Sequence, residues 1–163
     1  MTLHYEFPHN ISLDEVKQIV SDNPSFYIVE RDGYIVANYL VSGSVTHPPV
    51  VDRKTAIMRE LRGLMFDHDG NLISRRFQKF FNFGEREDVM SLDLSKPHTI
   101  LEKLDGSMIT PVWINDTIRW CTKMDVTGVA SQAEAFVTAN PKYMEFAESL
   151  LPGYTPIFEW CSR

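Results

Sequence analysis

Three observations predict an α+β domain of antiparallel β-sheets with flanking helices. Helical periodicity opened by a capping box occurs at both ends of the chain, paired strand patterns joined by turn residues fill the middle, and no internal repeat or linker interrupts them. At 163 residues, with 44% hydrophobic and 23% charged residues, the chain has the size and balance of one globular unit, so residues 1–163 are read as a single domain.

The first helix is announced by Ser12-Leu13-Asp14-Glu15, in which the Ser12 hydroxyl can accept from the backbone three residues on while Glu15 reaches back. Leu13, Val16, Ile19 and Val20 recur at helical spacing, and Asn23-Pro24 stops the helix because the residue before proline avoids the α region. Strands follow. Phe26–Glu30 and Tyr34–Tyr39 flank Asp32-Gly33, Leu61–Phe66 and Asn71–Phe77 flank His68-Asp69-Gly70, and Met108–Ile114 and Thr117–Thr122 flank Asn115-Asp116. Helix returns beyond Gly128, where Ser131 and Glu134 have capping-box spacing, and again from Tyr143 to Leu151. A last strand is expected over Thr155–Trp160.

No apolar run is long enough to span a bilayer, and the start, Met1-Thr2-Leu3-His4-Tyr5-Glu6, lacks a basic segment followed by an apolar one, so a cytoplasmic setting without a membrane partner is expected. Cys121 and Cys161 have neither zinc spacing nor a disulfide framework and are read as free thiols with packing roles. The five histidines show no ligand spacing, and no metal ligand is assigned.

The net charge of −6 is unevenly spread. Between Asp52 and Lys79 seven basic residues face four acidic ones, a locally positive stretch of the kind a phosphate-handling site needs, since potential near a cleft depends on the nearest charges more than on the total. The plainer alternative is a solvated strand pair of mixed charge.

One segment concentrates the chemistry. Glu102-Lys103-Leu104-Asp105-Gly106-Ser107 places a lysine at the end of an apolar strand carrying Ile100 and Leu101, before a glycine turn and another strand. The Lys-x-Asp-Gly pattern resembles the nucleophile motif of the covalent nucleotidyltransferases: DNA ligases, RNA ligases and mRNA capping enzymes. Alone it is unspecific, arising by chance in roughly 3% of chains of this length. Further segments narrow it. Arg59-Glu60-Leu61-Arg62-Gly63-Leu64-Met65-Phe66, with Arg76-Phe77-Gln78-Lys79-Phe80-Phe81-Asn82-Phe83-Gly84-Glu85, resembles the upstream signature of the RNA ligase 1 family of T4-like bacteriophages, which capping enzymes and DNA ligases do not share. Ile157-Phe158-Glu159-Trp160 resembles the superfamily's next motif, an acidic residue on a strand behind the nucleotide.

The resemblance implies part of an ATP-grasp-like nucleotidyltransferase domain, with ATP and Mg²⁺ as cofactors and RNA as partner. Lys103 would attack the α-phosphorus of ATP to give a lysyl-adenylate, AMP would pass to an RNA 5′-phosphate, and a 3′-hydroxyl would displace it. Repair of cleaved RNA or tRNA in a phage-infected bacterium is the implied context. Family positions matching Arg62, Lys79 and Lys123 contact phosphates or nucleotide, and that matching Glu159 contacts the ribose. Elementary chemistry fits these types: a lysine must lose its proton to attack, so burial and nearby cations are expected around Lys103, and Arg62 and Lys79 are suited to polyphosphate as a forked donor and a point charge. Gly106 is expected to permit a sharp turn and close ligand approach, and Asp105 to orient the lysine or cap backbone donors. Ordinary roles stand beside these: a solvated edge lysine at 103, a turn aspartate at 105, and a buried structural acid at 159. Phe77, Phe80 and Phe81 are expected in the core rather than on a base-stacking surface.

The family continues with an Asn-Arg extension of the Glu159 motif, an acidic metal-binding motif and a Lys-x-Lys strand, whereas this sequence closes on Cys161-Ser162-Arg163. The expectation is therefore the N-terminal portion of a longer ligase, or half of a split one, whose pocket a C-terminal segment or second chain completes. A non-catalytic nucleotide- or RNA-binding remnant is the alternative, with Arg75 and Arg76 among its RNA contacts.

Overall fold

The computed structural model describes residues 6–43, 46–85, 93–126, 128–151 and 153–161; the opening Met1 to Tyr5 and the closing Ser162-Arg163 lie outside them. The elements run α1 (Leu13–Asp22), β1 (Phe26–Arg31), β2 (Tyr34–Tyr39), α2 (Arg53–Glu60), β3 (Leu64–Phe66), β4 (Leu72–Ser74), β5 (Ser107–Ile114), β6 (Thr117–Cys121), α3 (Gly128–Ala139), α4 (Lys142–Leu150) and β7 (Phe158–Trp160). All strand pairs are antiparallel, in a four-stranded sheet ordered β1-β2-β3-β4 and a three-stranded sheet ordered β6-β5-β7. The α+β class is as predicted.

The Ser12 capping box forms in full, with the Glu15 amide donating to Ser12 Oγ at 3.3 Å and the Ser12 amide to Glu15 Oε2 at 3.1 Å. Asn115 and Asp116 take positive φ values of 49° and 57°, which short polar side chains tolerate, and close the β5–β6 hairpin.

Burial follows the two-residue period of the strands. On β2, Ile35 and Ala37 face the core beneath α1 and α2, while Tyr34 and Val36 face Met65, Val112, Ile114 and Cys121 between the two sheets. A third cluster, Ile109, Trp120, Ala130, Ala133, Val137 and Ala147, seats α3 and α4 on the second sheet.

Four expectations are corrected. Helix α2 occupies Arg53–Glu60, where no element was predicted; Asp52 caps it by accepting from the Thr55 amide at 2.8 Å, and Leu61 is its C-cap rather than a strand residue. Strand β4 stops at Ser74 instead of Phe77 because the Arg75 amide donates to Thr155 Oγ1 at 3.1 Å, which takes the chain off the ladder. Residues 97–105 form no strand: Ile100 and Leu101 are 86% and 81% exposed, and no strand among the described residues pairs with them. Ser131 lies inside α3, not at its cap, and Glu134 instead pairs with Arg119 at 2.8 Å and accepts from the Trp120 amide at 3.0 Å.

Candidate functional site

A cleft of about 610 Å³ opens where β5, β6 and β7 approach the residues flanking α2 and β4. Its walls carry Arg62, Phe77 and Phe80 on one side, the turn from Glu102 to Met108, Thr122 to Met124 after β6, and Ile157 and Glu159 around β7. Six of the seven site residues expected from sequence, Arg62, Lys103, Asp105, Gly106, Lys123 and Glu159, therefore share one cavity.

Antiparallel register brings the two halves of the site together. Met108 pairs with Glu159 and Ser107 with Trp160, so the lysine-bearing turn runs straight into the strand beside the acid. Gly106 is required by space, though by a different neighbour from the one expected: a Cβ there would lie 2.3 Å from the Trp160 carbonyl oxygen. The close approach is to β7, and no positive φ is involved. Glu159 is exposed to the cleft rather than a buried structural acid. Lys103 and Asp105 are exposed too, so the expected burial of the lysine is absent, although it faces the same cavity as Arg62 and Lys123.

Lys79 is the residue left out of the cleft. Its amine donates to the Phe80 carbonyl at 2.9 Å and lies 4.6 Å from the centre of the Phe81 ring, on which the Arg59 guanidinium also packs at 4.7 Å. Phe81 in turn meets buried His47 edge-on, at 6.4 Å between centroids. Of the three phenylalanines, only Phe81 has the packing role expected for all. Phe77 and Phe80 are 55% and 53% exposed and line the cleft, and the Arg62 guanidinium sits 5.6 Å from the Phe80 ring while donating to the Phe77 carbonyl at 3.4 Å.

Two residues that the sequence reading passed over organise the cationic wall. Asn38, wholly buried on β2, donates to the Lys123 carbonyl at 3.3 Å, and its neighbour Tyr39 meets the Lys123 amine at 3.2 Å. Burial pushes the Tyr39 hydroxyl upward, but hydrogen bonds and charge from Lys123, then Arg62, outweigh it and hold the phenol below its ordinary value. Tyr39 thus spans both cations. A polar residue breaking the apolar run of a buried strand, Asn38-Tyr39 after Ile35-Val36-Ala37, was the available signal.

The positive stretch from Asp52 to Lys79 is largely engaged by partners within the chain, on the surface for Arg53 and Lys54 and deeper for Arg75 and Arg76. Arg53 pairs with Glu15 at 2.6 Å, Lys54 with Asp22 at 3.3 Å, and Arg75 grips Glu60 with two donors, one at 2.5 Å. Arg76 is buried. Salt bridging and burial therefore remove Arg75 and Arg76 as the surface RNA contacts they were expected to be. Among the described residues no group of three metal-ligating side chains converges.

A cleft that gathers an arginine and two lysines, the carboxylates of Glu102, Asp105 and Glu159, and two exposed aromatic rings has donors for phosphate, acceptors for hydroxyl groups and faces for a ring. The model of the family described as RNA ligase, of the T4 RNA ligase 1 type, matches residues 60–163, and the chain belongs to that family. It is also 31% identical over 156 residues to a protein of Thermovibrio ammonificans named "Putative RNA ligase". That match takes in 93% of this chain but spans only 40% of the relative's length.

Proposed function

We propose that this chain carries the lysine-adenylating part of an ATP-dependent RNA ligase. The observation that carries the reading is one cavity shared by Lys103, Arg62, Lys123 and Glu159 in a chain of the RNA ligase family. In the reaction, the unprotonated Lys103 amine attacks the α-phosphorus of ATP; the nitrogen–phosphorus bond forms, the bond to the bridging oxygen breaks, pyrophosphate leaves, and the amine's remaining excess proton passes to water. Arg62 and Lys123 offset charge on the phosphates, Glu159 accepts from a ribose hydroxyl, and Phe77 and Phe80 offer apolar faces to a base. Lys79 joins them on rotating off Phe81. Mg²⁺ supplies Lewis-acid neutralisation of the polyphosphate when bound. AMP then passes from Lys103 to an RNA 5′-phosphate and is displaced by a 3′-hydroxyl, in repair of cleaved RNA such as tRNA within a phage-infected cell, with a further segment or chain closing the pocket.

The test is transfer of label from α-labelled ATP and magnesium to the denatured protein. Label that disappears in Lys103→Ala supports the reading; label retained there removes Lys103 as nucleophile. The exposure of Lys103 favours a second reading, a nucleotide- or RNA-binding remnant, and binding of ATP without any label in the unaltered chain would establish it.

A further inference from the structure

Arg76 is a buried cation with no counter-ion among the described residues. Its side chain is 4% exposed and its donors go to the Gly63 carbonyl, to Thr110 Oγ1 at 2.8 Å and to Met65 Sδ at 3.1 Å, all neutral groups. Among the described residues no carboxylate pairs with it. Burial lowers its pKa to about 10, which leaves it charged at neutral pH. The ionisable groups acting on it are Cys121 and Tyr34, and burial pushes both up, the thiol to about 11, so neither is an anion there. Keeping a lone guanidinium in a protein interior is unfavourable, and a methionine or leucine would fill the same space without that penalty.

The location indicates what the charge is for. Gly63 follows Arg62 directly and takes a φ of +83°. A Cβ on Gly63 would lie 2.4 Å from the Lys123 carbonyl oxygen and 3.0 Å from the Arg76 guanidinium, so Arg76 stands immediately behind the backbone that carries both Arg62 and Lys123 into the cleft. Through Thr110 it is also tied to β5, the strand that begins beside the Lys103 turn. A charge fixed in the interior is poorly screened by salt, so its field reaches the cavity in front of it.

We propose that Arg76 is a positioning residue whose uncompensated buried charge, set behind the Arg62–Gly63 and Lys123 backbone, strengthens the cleft's hold on the phosphates of a nucleoside triphosphate. The proposal rests on the nucleotide reading of the cleft. It separates charge from scaffolding: a purely structural staple would weaken every ligand alike, whereas a buried charge favours ligands in proportion to their phosphates.

Calorimetric titration of the full chain with adenosine, ADP and ATP decides between them. Arg76→Met is expected to weaken ATP about tenfold and ADP less, and to leave adenosine unchanged. Arg76→Lys, which keeps the charge, should stay within about threefold of the unaltered protein, as should Thr110→Val, which removes the tie to β5 and leaves the charge in place. If Arg76→Met does not fold, Arg76→Gln carries the same expectations. Unchanged ATP affinity in the neutral variant, an equal loss for adenosine and ATP, or an equal loss in Arg76→Lys overturns the proposal, and absence of ATP binding to the unaltered chain overturns both it and the nucleotide reading. A graded loss in a protein that never labels Lys103 would sustain Arg76's role while removing the ligase chemistry.

Discussion

The Tyr39 hydroxyl lies 3.2 Å from the Lys123 amine, and Arg62 acts on the same oxygen. One phenol on the last residue of β2 therefore sets the relative position of two cations contributed by distant parts of the chain. Tyr39→Phe removes that oxygen while preserving the ring contact with Lys123, 4.8 Å from ammonium to centroid. A hydrogen bond to a charged partner contributes roughly 1.5 kcal/mol to the folded state, so the expected outcome is a loss of stability of up to about that size together with a several-fold rise in KM for ATP. Adenylation kinetics beside a urea melt check it; an unaltered KM would show that Tyr39 organises nothing.

Gly106 tests the junction between the lysine turn and β7. With the Trp160 carbonyl oxygen 2.3 Å from where a Cβ would sit, and backbone rather than a flexible side chain in the way, Gly106→Ala must force β5 and β7 apart. The cost is expected to be about 2 kcal/mol or more, with loss of Lys103 adenylation, because Glu159 shifts relative to the lysine. Thermal melts and label transfer measure the two effects separately.

The three phenylalanines predict a clean division between stability and binding. Phe81 packs against His47, Lys79 and Arg59, and its truncation to alanine should destabilise the fold by about 2–3 kcal/mol in chemical denaturation. Phe77→Ala and Phe80→Ala, at exposed positions of the cleft, should change stability by about 0.5 kcal/mol or less and weaken ATP or RNA binding several-fold. The opposite pattern would place the ligand elsewhere.

These residues also show how much was legible from the sequence. Hairpins and caps are local, and Ser12 with Glu15, or Asn115 with Asp116, form as their spacing dictates. The association of Arg62, Lys103, Lys123 and Glu159 in one cavity was legible through family resemblance; strand register accounts for the pairing of the Lys103 turn with Glu159, and Asn38 and Tyr39 for the placement of Lys123. What could not be read was set by partners far along the chain. Arg75 leaves the β4 ladder for Thr155, Lys79 turns onto Phe81, and Asn38 and Tyr39 matter because Lys123 returns to them 84 or 85 positions later. Helix α2 carries little apolar periodicity over its eight residues, so only the cap spacing of Asp52 and Thr55 marks it in the sequence.

The α1–α2 seam gives a pH prediction. Glu15 is held at about 2, against an ordinary 4.5, first by its hydrogen bond with Arg53 and then by the Ser12 amide. A carboxylate whose folded value is depressed adds stability above its unfolded value, and that contribution fades as pH falls through the folded value, so the window runs from about 4.5 down to about 2. With its side chain 36% exposed, solvent screening reduces the gain to roughly 1 kcal/mol. Glu15→Gln should therefore be less stable than the unaltered chain at pH 7 by about that amount, and the difference should shrink as pH is lowered through this window. Paired urea melts at pH 7, 4 and 2.5 measure it; a difference that stays constant would mean that the Arg53 contact, at 2.6 Å, contributes no net charge–charge stabilisation to the seam.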